Sequence, residues 1–208
     1  MNSVASGAGD VRVAPRAVAS GAGEVRAVSG AGSAEILASL QGAPARAGRT
    51  RVLAIDGRSG AGKTGLAAAL SAELGAAVVS LEDFYGGWDG LDRGIGVLVS
   101  EVLEPLAAGR TLRVPQYDWA ARTWDEPAVL EPPEVLIVEG VGAGARRAAA
   151  FESLLVWLEA PTAVRKQRAL GRDGETFAPY WDMWAAQEEA MLARERTPEN
   201  ADLVLRTG

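Results

Sequence analysis

The sequence predicts an α/β fold, a three-layer sandwich with a mainly parallel central sheet, and two observations carry that prediction. Short apolar runs of buried-strand type alternate with helical stretches from residue 51 onward, the pattern of a parallel sheet covered on both faces. The first run leads into Gly57-Arg-Ser-Gly-Ala-Gly62-Lys63-Thr64, which matches G-x-x-x-x-G-K-[ST] with a strand before it and a helix after it.

The elements follow in order. Residues 52–55, Val-Leu-Ala-Ile, form the first strand and end at Asp56. Residues 63–74 are rich in Ala and Leu and favour helix. A second strand is expected over 76–79, a helix over 97–106, and a short strand over 111–114 that stops before Pro115. Residues 134–138 form the most apolar central strand and 154–158 the next. Helices over 162–170 and 179–194 precede a last strand at 202–205.

Residues 1–48 read differently. They are rich in Ala, Gly, Ser and Val, and the phrase Ser-Gly-Ala-Gly recurs from Ser6, Ser20 and Ser29. Such composition predicts a low-complexity, flexible N-terminal arm, with the folded domain at 49–208. Within the arm, a short helix over 33–40 would place Ile36, Leu37 and Leu40 on one face and let it pack on the domain.

Composition bounds the chemistry. The chain has 208 residues, 48% of them hydrophobic, enough for one domain with a buried sheet. A net charge of −6 argues against binding a nucleic-acid polymer, which relies on surface Lys and Arg to neutralise phosphates. With neither Cys nor His, disulfides, thiolate nucleophiles and imidazole bases are excluded. Acid–base work falls to Asp, Glu, Lys or Tyr. No apolar run reaches the roughly 18–20 residues of a membrane helix, and no secretion signal is evident at the N-terminus. A cytoplasmic protein with no membrane partner is the expectation; a homodimer is left open.

The glycine-rich turn points to a nucleotide. Gly57, Gly60 and Gly62 let the backbone wrap closely, so that the main-chain N–H groups of Ser59, Ala61 and their neighbours point at phosphate oxygens. The following helix adds the positive end of its dipole. Lys63 is expected to reach the β- and γ-phosphates of ATP or GTP, and Thr64 to complete a Mg²⁺ shell. Glu139, ending the apolar strand Val135-Leu-Ile-Val138, is placed to hold the same metal or one of its waters.

Three later segments carry a resemblance. Ser80-Leu-Glu82-Asp83-Phe84-Tyr85, Val114-Pro-Gln-Tyr117-Asp118-Trp119 and Val138-Glu139-Gly140 resemble, in order and spacing, landmarks of the uridine kinase and phosphoribulokinase-like P-loop kinases. The resemblance runs from about residue 51 to 205. It implies a lid helix, an acceptor-binding loop, and a carboxylate after the second strand that takes the proton of an acceptor hydroxyl. That base is Glu82 or Asp83, with Asp83 slightly favoured and also a candidate on the Mg²⁺ side. Tyr85, Trp88 and Tyr117 are expected to form an aromatic slot, with Asp89 and Asp118 accepting hydrogen bonds from sugar hydroxyls. Where nucleoside kinases of this type carry a His beyond Tyr-Asp, this chain has Ala121 and Arg122. Arg122 is therefore expected to meet a negative group on the acceptor.

The lid is expected in the Arg-rich helix. Arg165, Arg168 and Arg172 recur at helical spacing, and Arg168 and Arg172 are chosen to neutralise the transferred phosphoryl group. Asp173 and Gly174 would break that helix. Trp181, Trp184, Glu188 and Met191 share one side of the next helix and read as core. The loop with Asn200 is expected, by the same resemblance, to lie against the nucleotide base.

The leading functional reading is an ATP- and Mg²⁺-dependent kinase acting on a hydroxyl of a nucleoside-like metabolite. The alternatives are a kinase of another small acceptor, such as a sugar, vitamin precursor or phosphorylated metabolite, and a nucleotide-binding regulator with slow hydrolysis.

Overall fold

A computed structural model describes residues 30–208. Five strands form a parallel sheet in the order β2-β5-β1-β6-β7: β1 (Arg51–Asp56), β2 (Ala77–Ser80), β5 (Val135–Glu139), β6 (Leu154–Glu159) and β7 (Leu203–Arg206). A separate antiparallel hairpin pairs β3 (Leu112–Asp118) with β4 (Thr123–Leu130).

The period-2 geometry of a strand divides each apolar run between two cores. Val52, Leu136 and Val138 enter one buried cluster, while Leu53, Ile55, Ile137 and Val156 enter the other. On the second face lie α1 (Gly30–Gly42), through Ile36 and Leu40, and α2 (Lys63–Leu74), through Leu66 and Leu70. The first face is covered by α3 (Leu91–Val97) and the helical stretch that continues it, and by α6 (Trp181–Glu195). That makes three layers, as the alternation of the sequence predicts.

The helix expected over 97–106 starts at Leu91, and the one expected over 162–170 runs to Phe177. Two further differences from expectation have a clear physical cause. Packed structure starts at α1, inside the stretch read as an arm, because Ile36 and Leu40 are fully buried against the sheet. The first two Ser-Gly-Ala-Gly phrases lie outside the described residues. Second, the strand expected to stop before Pro115 continues to Asp118 and pairs only with β4, not with the main sheet. Pro115 lacks an N–H, and the register shifts there between Val114 and Gln116, so a bulge absorbs the missing donor. No strand over 123–130 was expected, since the run has no alternating apolar pattern and is interrupted by Pro127.

The remaining elements set up the site. The helix from Leu91 widens into a π-type turn at Leu98–Leu103 before α4 (Glu104–Ala107). Pro105, which cannot donate to the carbonyl four residues back, sits where the widened turn ends. After β6 comes α5 (Thr162–Phe177), kinked at Gly174, where φ is 52° and ψ −132°. A short α7 (Thr197–Asn200) leads into β7.

Candidate functional site

β1 lies between β5 and β6, so the chain leaving its C-terminal end sits at the point where strand order reverses, the ligand crevice of open α/β sheets. There residues 57–64 wrap into a loop. A Cβ at Gly60 would run into the carbonyl of Arg165, and Gly62, at φ 101°, takes a backbone conformation that other residues rarely adopt as it opens α2. Glycine is required at both.

Asp56 anchors the loop. Its fully buried carboxylate accepts the N–H of Gly57 (2.6 Å) and Gly142 (3.0 Å) on Oδ1 and of Gly144 (3.0 Å) on Oδ2. Burial pushes its pKa up to about 6, against the lowering effect of those three N–H groups and of Lys63. The rest of the loop is held by side chains from far along the chain. Arg165 donates to the Ser59 carbonyl (3.2 Å), and Thr207 to that of Ala61 (2.7 Å). Lys63 is buried and folds back onto the Arg58 carbonyl (3.4 Å). Arg58, Lys63 and Arg165 thus gather around one loop of a chain whose net charge is −6.

Beside the loop, hydroxyls of Thr64 (3.3 Å) and Ser80 (2.8 Å) donate to Glu139 Oε1. Burial and the charge of Glu82 raise the pKa of Glu139, while Lys63 and the two hydroxyls pull it down. A carboxylate with two hydroxyls is a set of hard oxygen donors that suits Mg²⁺. Among the described residues, no cluster of three or more His, Cys, Asp or Glu could hold a metal by itself. Asp83 Oδ2 accepts from Gln116 Nε2 (3.4 Å).

A cavity of about 380 Å³ opens next to the loop, with Ser59 on its wall. Five aromatic side chains line it: Tyr85, Trp88, Trp119, Phe177 and Trp184. Trp88 stacks nearly parallel on Phe177 (4.9 Å, 6°) and on Tyr180 (5.0 Å, 12°), and tilts against Trp119 (4.7 Å). Tyr85 donates to the Val141 carbonyl (2.9 Å), which fixes its ring against Trp184. The polar wall is Glu82, Arg172, Asp173 and Thr176. Arg172 bridges Asp173 (2.7 Å) and Glu82 (3.4 Å). Partial burial disfavours its charge, but Glu82 and Asp173 outweigh that and raise its pKa.

No family model matches the chain, and no curated protein matches it in sequence. Among solved structures it is similar to a possible uridine kinase from Bacillus stearothermophilus, with 25% identity and a TM-score of 0.57 over 74% of this chain and 88% of that one. A candidate fructose transport system kinase from Silicibacter sp. TM1040 aligns at 24% identity and a TM-score of 0.53, over 84% of this chain and 97% of that one.

The chain has the fold of the uridine kinase-like P-loop kinases.

Within this uridine kinase-like fold, the expected residues separate into those the structure gathers and those it disperses. Lys63, Thr64, Glu139, Glu82, Arg172, Tyr85 and Trp88 surround the loop and the cavity. Arg168 lies alongside, donating to Thr207 Oγ1 (3.2 Å) on the flank of the loop. Tyr117 is buried behind the wall, edge-on to Trp119 and Trp124. Asp118 accepts the N–H of Ala120 (2.8 Å) and Ala121 (3.0 Å), shaping the hairpin turn. Arg122 occupies the last position of that turn at φ 56°, exposed, and neither it nor exposed Asp89 lines the cavity.

Asn200 is placed otherwise than expected. Its amide donates to the Glu195 carbonyl (3.1 Å), and it precedes β7, at the edge from which the parallel strands start. The phosphate loop follows the opposite ends of the strands, so Thr207, after β7, is the residue that reaches it.

Sequence reasoning missed Trp119, Phe177 and Thr176, and read Trp184 and Glu188 as core. One signal was available: a Glu in an apolar helical stripe, one turn from a Trp, marks a buried polar contact rather than plain packing.

Proposed function

We propose that the chain is an ATP- and Mg²⁺-dependent kinase that phosphorylates a hydroxyl of a flat, nucleoside-like small molecule. The observation that carries this reading is the shared wall. Ser59 of the phosphate loop and Glu82 line the same cavity as five aromatic rings, so a ring held among the aromatics presents its substituents to both.

Each residue then has a task. Amides of the loop and Lys63 bind the β- and γ-phosphates, and Thr64 and Glu139 hold the metal. Mg²⁺, when bound, supplies charge neutralisation at the phosphates. Glu82, 51% exposed on its side chain and facing the cavity, accepts the proton of the attacking hydroxyl as its oxygen bonds to phosphorus and the bond to ADP breaks. Asp83 is the other candidate for that base. Arg172, already beside Glu82, meets the charge on the transferred group with a planar donor fork. Aromatic walls favour a ring with π-faces, stacked rather than read by many hydrogen bonds. The name of the Bacillus stearothermophilus neighbour makes uridine one acceptor to try first.

The test is ADP release from Mg·ATP across nucleosides, sugars and vitamin precursors, with Lys63→Ala in parallel. A nucleoside-like acceptor that stimulates ADP release in the parent and not in the variant is the expected result. Release that ignores every acceptor would replace the kinase with a slow nucleotide hydrolase.

A further inference from the structure

Glu188 has no part in the roles above, yet its carboxylate is bonded as fully as that of Asp56. It projects from α6, is 1% exposed, and accepts three donors. Burying a carboxylate is costly unless it is paired and hydrogen-bonded, and here it is both. Its Oε2 takes Arg58 Nε at 2.8 Å. Its Oε1 takes two N–H groups at once, the main chain of Ser59 at 2.7 Å and the indole of Trp184 at 3.0 Å.

Those two donors belong to different half-sites. Ser59 is part of the phosphate loop, and its carbonyl is gripped from the other side by Arg165. Trp184 is a wall of the acceptor cavity and packs on Tyr85. One oxygen atom is therefore shared by the loop that would hold the nucleotide and the ring that would hold the acceptor. The same helix carries the acceptor loop as well, since Gln187 donates to the Trp88 carbonyl at 2.7 Å.

Resting on the kinase reading, we infer that Glu188 is a positioning residue that couples the two half-sites, so that occupancy of either tightens the other. An acceptor ring against Trp184 fixes the indole, which holds Glu188 on the Ser59 N–H and the loop in its binding shape. A nucleotide that orders the loop fixes Glu188 and, through it, the indole. Such coupling is reciprocal by thermodynamic necessity. Without it, each ligand must order its half-site alone, and affinity falls.

The test measures Mg·ADP affinity by calorimetry with no acceptor present. Trp184→Phe keeps an aromatic wall but removes the indole N–H together with part of the ring, on a residue that the reading places on the acceptor side. Glu188→Gln keeps the shape but turns an amide N–H₂ toward Arg58. Trp184→Phe is expected to weaken Mg·ADP about three- to tenfold and Glu188→Gln about tenfold or more, with the double variant no weaker than Glu188→Gln alone. An unchanged affinity in Trp184→Phe overturns the inference, as do two effects that simply multiply. If Glu188→Gln does not fold, Trp184→Phe decides alone. Parent binding that Lys63→Ala abolishes, beside an unaffected Trp184→Phe, sinks the coupling and leaves the kinase reading intact. A parent that does not bind Mg·ADP removes both.

Discussion

The glycine-rich loop and the aromatic cavity meet at Ser59, yet they are built by opposite means. The loop is one contiguous run of eight residues, 57–64, in which a Cβ at Gly57 or Gly60 would run into a backbone carbonyl. The cavity is a set of side chains drawn from four separate stretches: Glu82, Tyr85 and Trp88 after β2, Trp119 in the hairpin turn, Arg172 to Phe177 at the kinked end of α5, and Trp184 on α6. A backbone site tolerates little change and serves one kind of ligand. A side-chain site can be rebuilt one ring at a time, so under the proposed function the acceptor is the part free to vary.

The largest expected effect separates the two carboxylates at their border. Glu82 lines the cavity, and Asp83 lies by Gln116. If proton transfer occurs where the cavity meets the loop, Glu82→Gln lowers kcat by about 10²- to 10⁴-fold, while Asp83→Asn costs about tenfold or less. Rate measurements at saturating acceptor check this. The reverse order of effects would move the base to Asp83 and the reacting hydroxyl away from the aromatic pocket.

Next in size is a split between binding constants. Trp88 is stacked on two rings and is the centre of the cavity wall. Trp88→Ala is expected to raise the acceptor KM by roughly ten- to 100-fold, with the KM for ATP changed less than about threefold; Trp88→Phe restores most of the loss. Equal rises in both constants would mean that Trp88 supports the fold as a whole and not one half-site.

That contrast also explains what could be read in advance. The loop was legible because everything it needs is adjacent in sequence: an apolar strand, the glycines, Lys63, Thr64, then a helix. Both faces of the sheet were legible for a similar reason, since alternation within Val52–Leu53 or Leu136–Ile137 assigns each side chain to its core. Phe177 and Trp184 could not be assigned, because an apolar ring on a helix looks the same whether it faces a core or a cavity. Nor could Asn200 be placed: which end of β7 faces the loop follows from its parallel pairing with β6, which no local pattern reveals. Strand β4 was invisible, since its apolar residues Trp124, Ala128, Val129 and Leu130 follow no strand period and Pro127 interrupts the run, and its pairing with β3 is what orders it.

A smaller effect is expected away from both half-sites. Glu152 precedes β6, is buried, and its Oε1 has no hydrogen-bond partner. Burial, with the charges of Asp56 and Asp202, pushes its pKa from an ordinary 4.5 up to about 8. The folded state therefore binds the proton more tightly than the unfolded one. The stability this gives is complete below about pH 4.5 and is lost as pH rises through 8. Glu152→Gln removes that slope. Thermal melts are expected to show a gain over the parent at pH 9 on the order of 2 kcal/mol, and little or none at pH 5. A variant whose melting curve keeps the parent's pH dependence would assign the slope to another group.

The smallest effect tests the edge of the cavity. Arg122 is by type suited to an anionic acceptor. Its position says otherwise: it is exposed, it lies outside the cavity lining, and it holds a left-handed backbone at φ 56° in the hairpin turn that Asp118 shapes. Arg122→Gly relieves that backbone strain while loosening the unfolded chain, two effects of similar size and opposite sign. Melting temperature is expected to stay within about 2 °C of the parent and the acceptor KM within about twofold. A tenfold rise in KM at unchanged stability would place part of the acceptor on the hairpin, and the aromatic cavity would then bound only one end of it.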